Sequence, residues 1–125
     1  MQRPLKIRWD IGVGVATGLG VDLSKGTVFG IKFPSSMTGA TLTIQGVAVP
    51  IDSGTFRAPA SAEYENVVDN AGATVTITVH AGKVQILTDD QVKALRCCHW
   101  VRLVSDQNEA AGRLGYWIGA TGAGP

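Results

Sequence analysis

The clearest alternation in the chain is Ala73-Thr74-Val75-Thr76-Ile77-Thr78-Val79, with Val75, Ile77 and Val79 on one side and three threonines on the other. Successive side chains of a strand point to opposite faces, so a period of two predicts one buried and one wetted face. Threonine, β-branched and polar, suits the wetted side. The same pattern predicts a strand over Thr27 to Phe33, with Phe29, Ile31 and Phe33 on one face. Pro34 ends it, because proline has no N–H to give to a ladder. Leu42 and Ile44 face inward between Thr41, Thr43 and Gln45, and Gly46 breaks that register before Val47-Ala48-Val49 and Pro50. Lys83 to Leu87, Cys97 to Ser105 and Arg113 to Ile118 complete the strands; in Cys97 to Ser105, Trp100, Arg102 and Val104 oppose His99, Val101 and Leu103.

Turn residues separate these runs. Asp52-Ser53-Gly54 and Asn70-Ala71-Gly72 read as turns, and His80-Ala81-Gly82 reads as the link of a hairpin into Lys83 to Leu87. One short helix is expected after Thr88. That residue caps it, Gln91 stands three positions later as in a capping box, and Asp89 and Asp90 suit its positive end. Val92 and Leu95 would face the sheet. Residues 1–26 are glycine-rich, with Ile11, Val13 and Val15 alternating with Gly12, Gly14 and Ala16, and read as an N-terminal arm or an edge strand. Residues 27–118 form the domain proper, and 119–125 carry no core residues and read as a tail. The fold class is all-β: a single-domain β-sandwich or jelly-roll-like barrel with one short helix.

Composition narrows the function classes. Sixteen glycines and five prolines in 125 residues fit a turn-rich β protein. A net charge of +1 favours neither nucleic acid nor a membrane surface as partner. No apolar run approaches the roughly 18 residues needed to span a bilayer, and no apolar segment follows the basic residues near Met1, so a cytoplasmic site of synthesis is expected.

Candidate chemistry is sparse. Cys97 and Cys98 are adjacent, a poor geometry for a disulfide, and are expected to be reduced with at least one buried. Cys97-Cys98-His99 has the ligand types of a metal site but not the spacing of a four-ligand one. No Gly-x-Ser-x-Gly elbow occurs, and Asp89-Asp90 is explained by the helix cap. Gly12 to Gly18 is not followed by the helix that a phosphate loop requires. No catalytic, cofactor or metal residue is assigned, and an enzyme is not expected. Candidate interface residues are Trp9, Ile11, Val13, Trp117, Arg102 and Arg113. Tyr116 and Trp117 lie on opposite faces of the last strand, so one ring is expected to leave the core, where it packs under a loop or meets a partner. The two arginines pair with a neighbouring subunit or decorate a solvated face.

Phe29-Gly30-Ile31-Lys32-Phe33-Pro34 followed by Thr38-Gly39-Ala40-Thr41-Leu42-Thr43-Ile44-Gln45 resembles a module of tailed-bacteriophage structural proteins. Asp52 to Phe56, Gly72 to Ile77, Ala81-Gly82, Arg102-Leu103-Val104-Ser105 and Arg113 continue the likeness in order, whereas Val47 to Ile51 and Cys97-Cys98-His99 depart from it. The resemblance implies a virion component, a capsid decoration or cement protein. Its partners would be the major capsid protein and copies of itself, a trimer being what three-fold decoration implies. It brings no catalytic residue. Residues 1–20 and 119–125 are the expected straps, so that trimming 1–16 should leave a folded core. The alternative is a tail, neck or head-fibre module that binds glycan through Tyr116 or Trp117.

Overall fold

The computed structural model describes residues 3–47 and 59–121. Nine strands are present among them: β1 (Arg3–Ile11), β2 (Val21–Asp22), β3 (Thr27–Lys32), β4 (Thr41–Val47), β5 (Glu65–Asn66), β6 (Thr76–Thr78), β7 (Val84–Ile86), β8 (Trp100–Ser105) and β9 (Arg113–Thr121). A 3-10 turn covers Ser61–Glu63, and the one α-helix, α1, covers Asp89–Arg96. The first sheet runs β1-β9-β3-β7. In the second, β8 lies between β2 and β4, and β5 and β6 share the other edge of β4. Every ladder is antiparallel. The chain is therefore an all-β, β-sandwich-like domain with one helix, as its alternation requires.

One core joins the sheets. Trp9, Ile31, Phe33 and Trp117 come from the first sheet or its strand ends, and Leu42, Ile44, Ile77, Val101 and Leu103 from the second. Trp9 meets Phe33 edge-on, ring centroids 6.4 Å apart. The threonine-rich strand behaves as its pattern demands, with Val75 and Ile77 buried and Thr74, Thr76 and Thr78 exposed. Helix α1 begins as expected: Thr88 Oγ1 accepts from the Gln91 amide at 3.2 Å, and the Gln91 side chain accepts from the Thr88 amide at 2.9 Å. Leu95 and Ala94 are buried, while Val92 is half-buried.

Five expectations are corrected. Ile11 ends β1 and is buried, so the strand lies earlier than the Ile11-Val13-Val15 alternation; residues 12–15 form a turn in which Gly14 takes φ 77°. Phe29 does not share a face with Ile31 and Phe33. A bulge between Val28 and Gly30 inserts one residue, so Val28 is buried and Phe29 is turned out. Gly46 does not break its strand, which pairs with β8 through to Val47. Glycine is needed there because a Cβ would stand 2.8 Å from Cys98 Cβ and overlap its sulfur. His80-Ala81-Gly82 is no hairpin link: β6 belongs to the second sheet and β7 to the first, so this turn crosses between layers. Finally, Gly119 to Thr121 belong to β9 rather than to a tail.

Of the two readings of the N-terminus, Arg3–Ile11 takes the edge strand, paired along its whole length with β9. Deleting residues 1–16 would remove Trp9 and Ile11 from the core, so this segment is not a detachable strap. The expected Asp52-Ser53-Gly54 turn, Ala48 to Pro50 and residues 122–125 lie outside the described residues.

Candidate interface on the first sheet

The outward positions of the first sheet fall in rows fixed by its register. Asp10 lies opposite Leu114; Arg8, Tyr116, Lys32 and Val84 form the next row; Lys6, Ile118, Gly30 and Ile86 the one after. The result is an apolar stripe along β9, bordered by the cations of β1 and β3. Lys6 Nζ stands 4.4 Å over the Tyr116 ring, a cation–π contact. Lys32 Nζ donates to the Gly82 carbonyl at 2.8 Å, and Arg8 Nε donates to Asp10 at 3.0 Å. At the β7 edge the apolar side chains stand free: Ile86 is 88% exposed, Val84 68% and Phe29 47%. Gly30, between Ile86 and Ile118, is itself buried.

The outward face of the second sheet is built differently. Thr41 lies opposite Thr78, Thr43 opposite Thr76, and Gln45 opposite both Arg102 and Asn66. Arg102 donates to Gln45 Oε1 at 2.8 Å and to Ser61 Oγ at 2.9 Å, and its guanidinium lies 4.4 Å over the Tyr64 ring. This is a polar face on which Arg102, Gln45, Asn66 and Ser61 bond to one another. The two outer faces therefore differ: the first sheet carries an apolar stripe along β9, and the second is lined by threonines and polar side chains.

The residues singled out from the sequence divide accordingly. Trp9, Ile11 and Trp117 are 2%, 1% and 1% exposed, so they are core and present nothing to a partner. The reason is register: Trp9 and Trp117 point inward, and Gly115 opposite Trp9 leaves room for its indole. Trp117 is thereby removed as a sugar platform, and Tyr116 is the ring that leaves the core. Val13 is 69% exposed on a loop clamped by two backbone bonds, Gly14 N–H to the Glu109 carbonyl (2.8 Å) and Glu109 N–H to the Val15 carbonyl (3.0 Å). Arg102 and Arg113 are both committed to partners within the chain.

Arg113 leads to a group that the sequence pattern did not single out. Glu109 is fully buried and saturated by four donors: the Thr38 amide and Arg113 Nε on Oε1, and the Gly39 amide and Ser105 Oγ on Oε2, at 2.8–2.9 Å. Arg113 also reaches Ser36 Oγ and Thr38 Oγ1. Burial alone would raise the carboxyl, but the Thr38 amide, Arg113, the Gly39 amide and Ser105 outweigh it and hold the pKa at about 2. Every lone pair of this carboxylate is engaged in tying two loops together, which leaves none for proton transfer. Its only trace in the sequence is Glu109 four residues before Arg113 in a polar loop.

Cys97, Cys98 and His99 line a shallow cleft of about 280 Å³ with Leu23, Ser24 and Arg96. Both thiols are free; Cys97 is exposed and Cys98 only half-buried, so neither is sunk in the core, and their sulfurs are 3.7 Å apart. Burial pushes the Cys98 thiol up to about 12, with Cys97 adding to the rise, so it is not a thiolate at neutral pH. His99 Nε2 lies 3.6 Å from Asp22, whose carboxyl is held below its usual value: burial raises it, and the Ser24 hydrogen bonds and His99 more than offset that. Among the described residues, no three His, Cys, Asp or Glu side chains converge as metal ligands would. No family model, curated protein or solved structure matches the chain.

Proposed function

We propose that this chain is a non-enzymatic structural protein of a tailed-phage virion, a capsid decoration or cement protein that binds the major capsid protein and stabilises the head. The observation that carries the reading is the apolar, cation-bordered outer face of the first sheet, set on a sandwich whose other face is polar. The resemblance of Phe29 to Gln45 and the later turns to phage structural modules supplies the context.

The chemistry is that of adhesion. Four strands spaced ~4.8 Å apart give a face roughly 20 Å across. A single contact of that size is weak, and many copies on one lattice supply avidity. A neck or tail location uses the same face, whereas the glycan reading loses Trp117 to the core.

Copy number in intact particles tests the proposal. Quantitative mass spectrometry of purified virions should find hundreds of copies per particle. About a dozen copies would move the protein to the neck or tail, and its absence from particles would end the reading.

A further inference from the structure

Consecutive side chains on a strand point to opposite faces, so a strand over Cys97 to Ser105 would part the two thiols. Instead β8 starts at Trp100, and Cys97 is the C-cap of α1, in the right-handed helical conformation with φ -81° and ψ -7°. This local turn leaves both sulfurs on one side, 3.7 Å apart. Each is held in place. The Cys97 amide donates to the Lys93 carbonyl at 3.0 Å and its thiol to the Ala94 carbonyl at 3.2 Å. Cys98 packs against the core and over Gly46, where a Cβ would overlap its sulfur.

One soft atom bonded to both sulfurs fits this spacing. Bonds of about 2.3 Å to thiolate sulfur, meeting near the tetrahedral angle, span ~3.8 Å, whereas a linear two-coordinate ion would need ~4.6 Å. Ligand number narrows the choice. The chain has two cysteines, and among the described residues no third His, Asp or Glu completes a metal-binding group with them. A structural zinc site takes four protein ligands. A monosubstituted trivalent arsenical, R–As(OH)2, takes two sulfurs, its third bond being to carbon. The cleft beside the thiols, about 280 Å³, has Leu23, Val28 and Leu95 as its apolar wall, none more than 5% exposed. A cavity of roughly 150 Å³ holds benzene, so an aryl group has room.

We propose that Cys97 and Cys98 form a dithiol site for covalent capture of monosubstituted trivalent arsenicals, the aryl substituent seating in the Leu23–Val28–Leu95 cleft. The exposed Cys97 sulfur attacks arsenic first, and Cys98 closes the ring. Two As–S bonds form, two As–O bonds break, and each thiol proton leaves with a hydroxide as water. Arsenic and sulfur keep their oxidation states. Ring closure is intramolecular, so sulfurs already aligned favour it over a second, separate thiol. The Cys98 thiol, pushed up to about 12 by burial and by Cys97, suits this exchange better than metal binding, which takes thiolates. The site uses no residue of the β9 stripe and goes beyond the virion reading.

Phenylarsine oxide and the purified, reduced full chain test it, with arsenic per chain read by intact-mass spectrometry after challenge with excess 2-mercaptoethanol. One arsenic per chain should survive the monothiol and be released by 1,2-ethanedithiol. Cys97→Ser should retain at least a hundredfold less, with an unchanged circular dichroism spectrum, and Cys98→Ser should match it. Cys97 is exposed, so its variant keeps the test decisive if Cys98→Ser fails to fold. Arsenite, which lacks the aryl group, should bind at least tenfold more weakly, and so should phenylarsine oxide to the chain unfolded in urea. Loss of the label to the monothiol, or its retention by Cys97→Ser, overturns the proposal. Equal binding by the folded and unfolded chain, equal binding of arsenite, or tighter binding of zinc chloride overturns it as well.

Discussion

Glu109 is the residue on which the loop end of the sandwich depends. Its carboxylate gathers two amides of the 38–39 turn, a serine hydroxyl from the end of β8 and the guanidinium that opens β9. Its pKa of about 2 in the fold lies below the ordinary 4.5. A carboxylate depressed by folding stabilises the protein at pH above its unfolded value, and that contribution drains away as pH falls towards the folded value. The drop corresponds to roughly 3 kcal/mol lost between about pH 5 and pH 2, a large share of the ~5–15 kcal/mol that holds a domain folded. Urea titrations at stepped pH should show this slope in the wild type, and Glu109→Gln should flatten it. The variant should also be less stable at pH 7 by about 3–5 kcal/mol, because it leaves the Arg113 charge buried without its partner. A wild-type stability that stays level from pH 5 to pH 2 would contradict the assignment.

At the scale of elements, β9 is central to the first sheet and explains its own glycines. Gly115 and Gly119 point inward; a Cβ on the first would overlap the Trp9 indole, and on the second the Thr27 carbonyl oxygen. Gly112, just before the strand, has open space around it. Gly115→Ala and Gly119→Ala should therefore each cost roughly 1–3 kcal/mol or more through overpacking, while Gly112→Ala should leave the urea midpoint nearly unchanged. Equal effects at the three sites would argue against the register. Strands with a strict alternation, such as Thr41–Ile44 and Val75–Val79, were legible because period two and burial agree. So was the start of α1, since a capping box is a local signal. The Phe29 bulge was not legible, because one inserted residue reverses the facing and leaves no mark in hydrophobicity. The layer switch at His80-Ala81-Gly82 was equally hidden, since a turn sequence does not say which sheet its second strand joins.

At the scale of the molecule, two sheets share one core and differ in what they show to the outside. The sandwich class was readable from strand spacing, but the face proposed above for binding was not. Aromatic residues marked as interface candidates, Trp9 and Trp117, are drawn inward by the register. The face that is open consists of Leu114, Tyr116 and Ile118 on β9, with Lys6 and Arg8 beside them on β1. These residues come together only when the two ends of the chain pair, and a reading along the sequence does not join them. The most direct measurement is the occupancy of heads purified without this protein and then mixed with variants altered on one face at a time. Lys6→Glu with Arg8→Glu on the first sheet should lower occupancy tenfold or more, while Thr43→Glu with Thr78→Glu on the second should leave it unchanged. Equal occupancy for the two variants, or loss confined to the threonine face, would contradict the account.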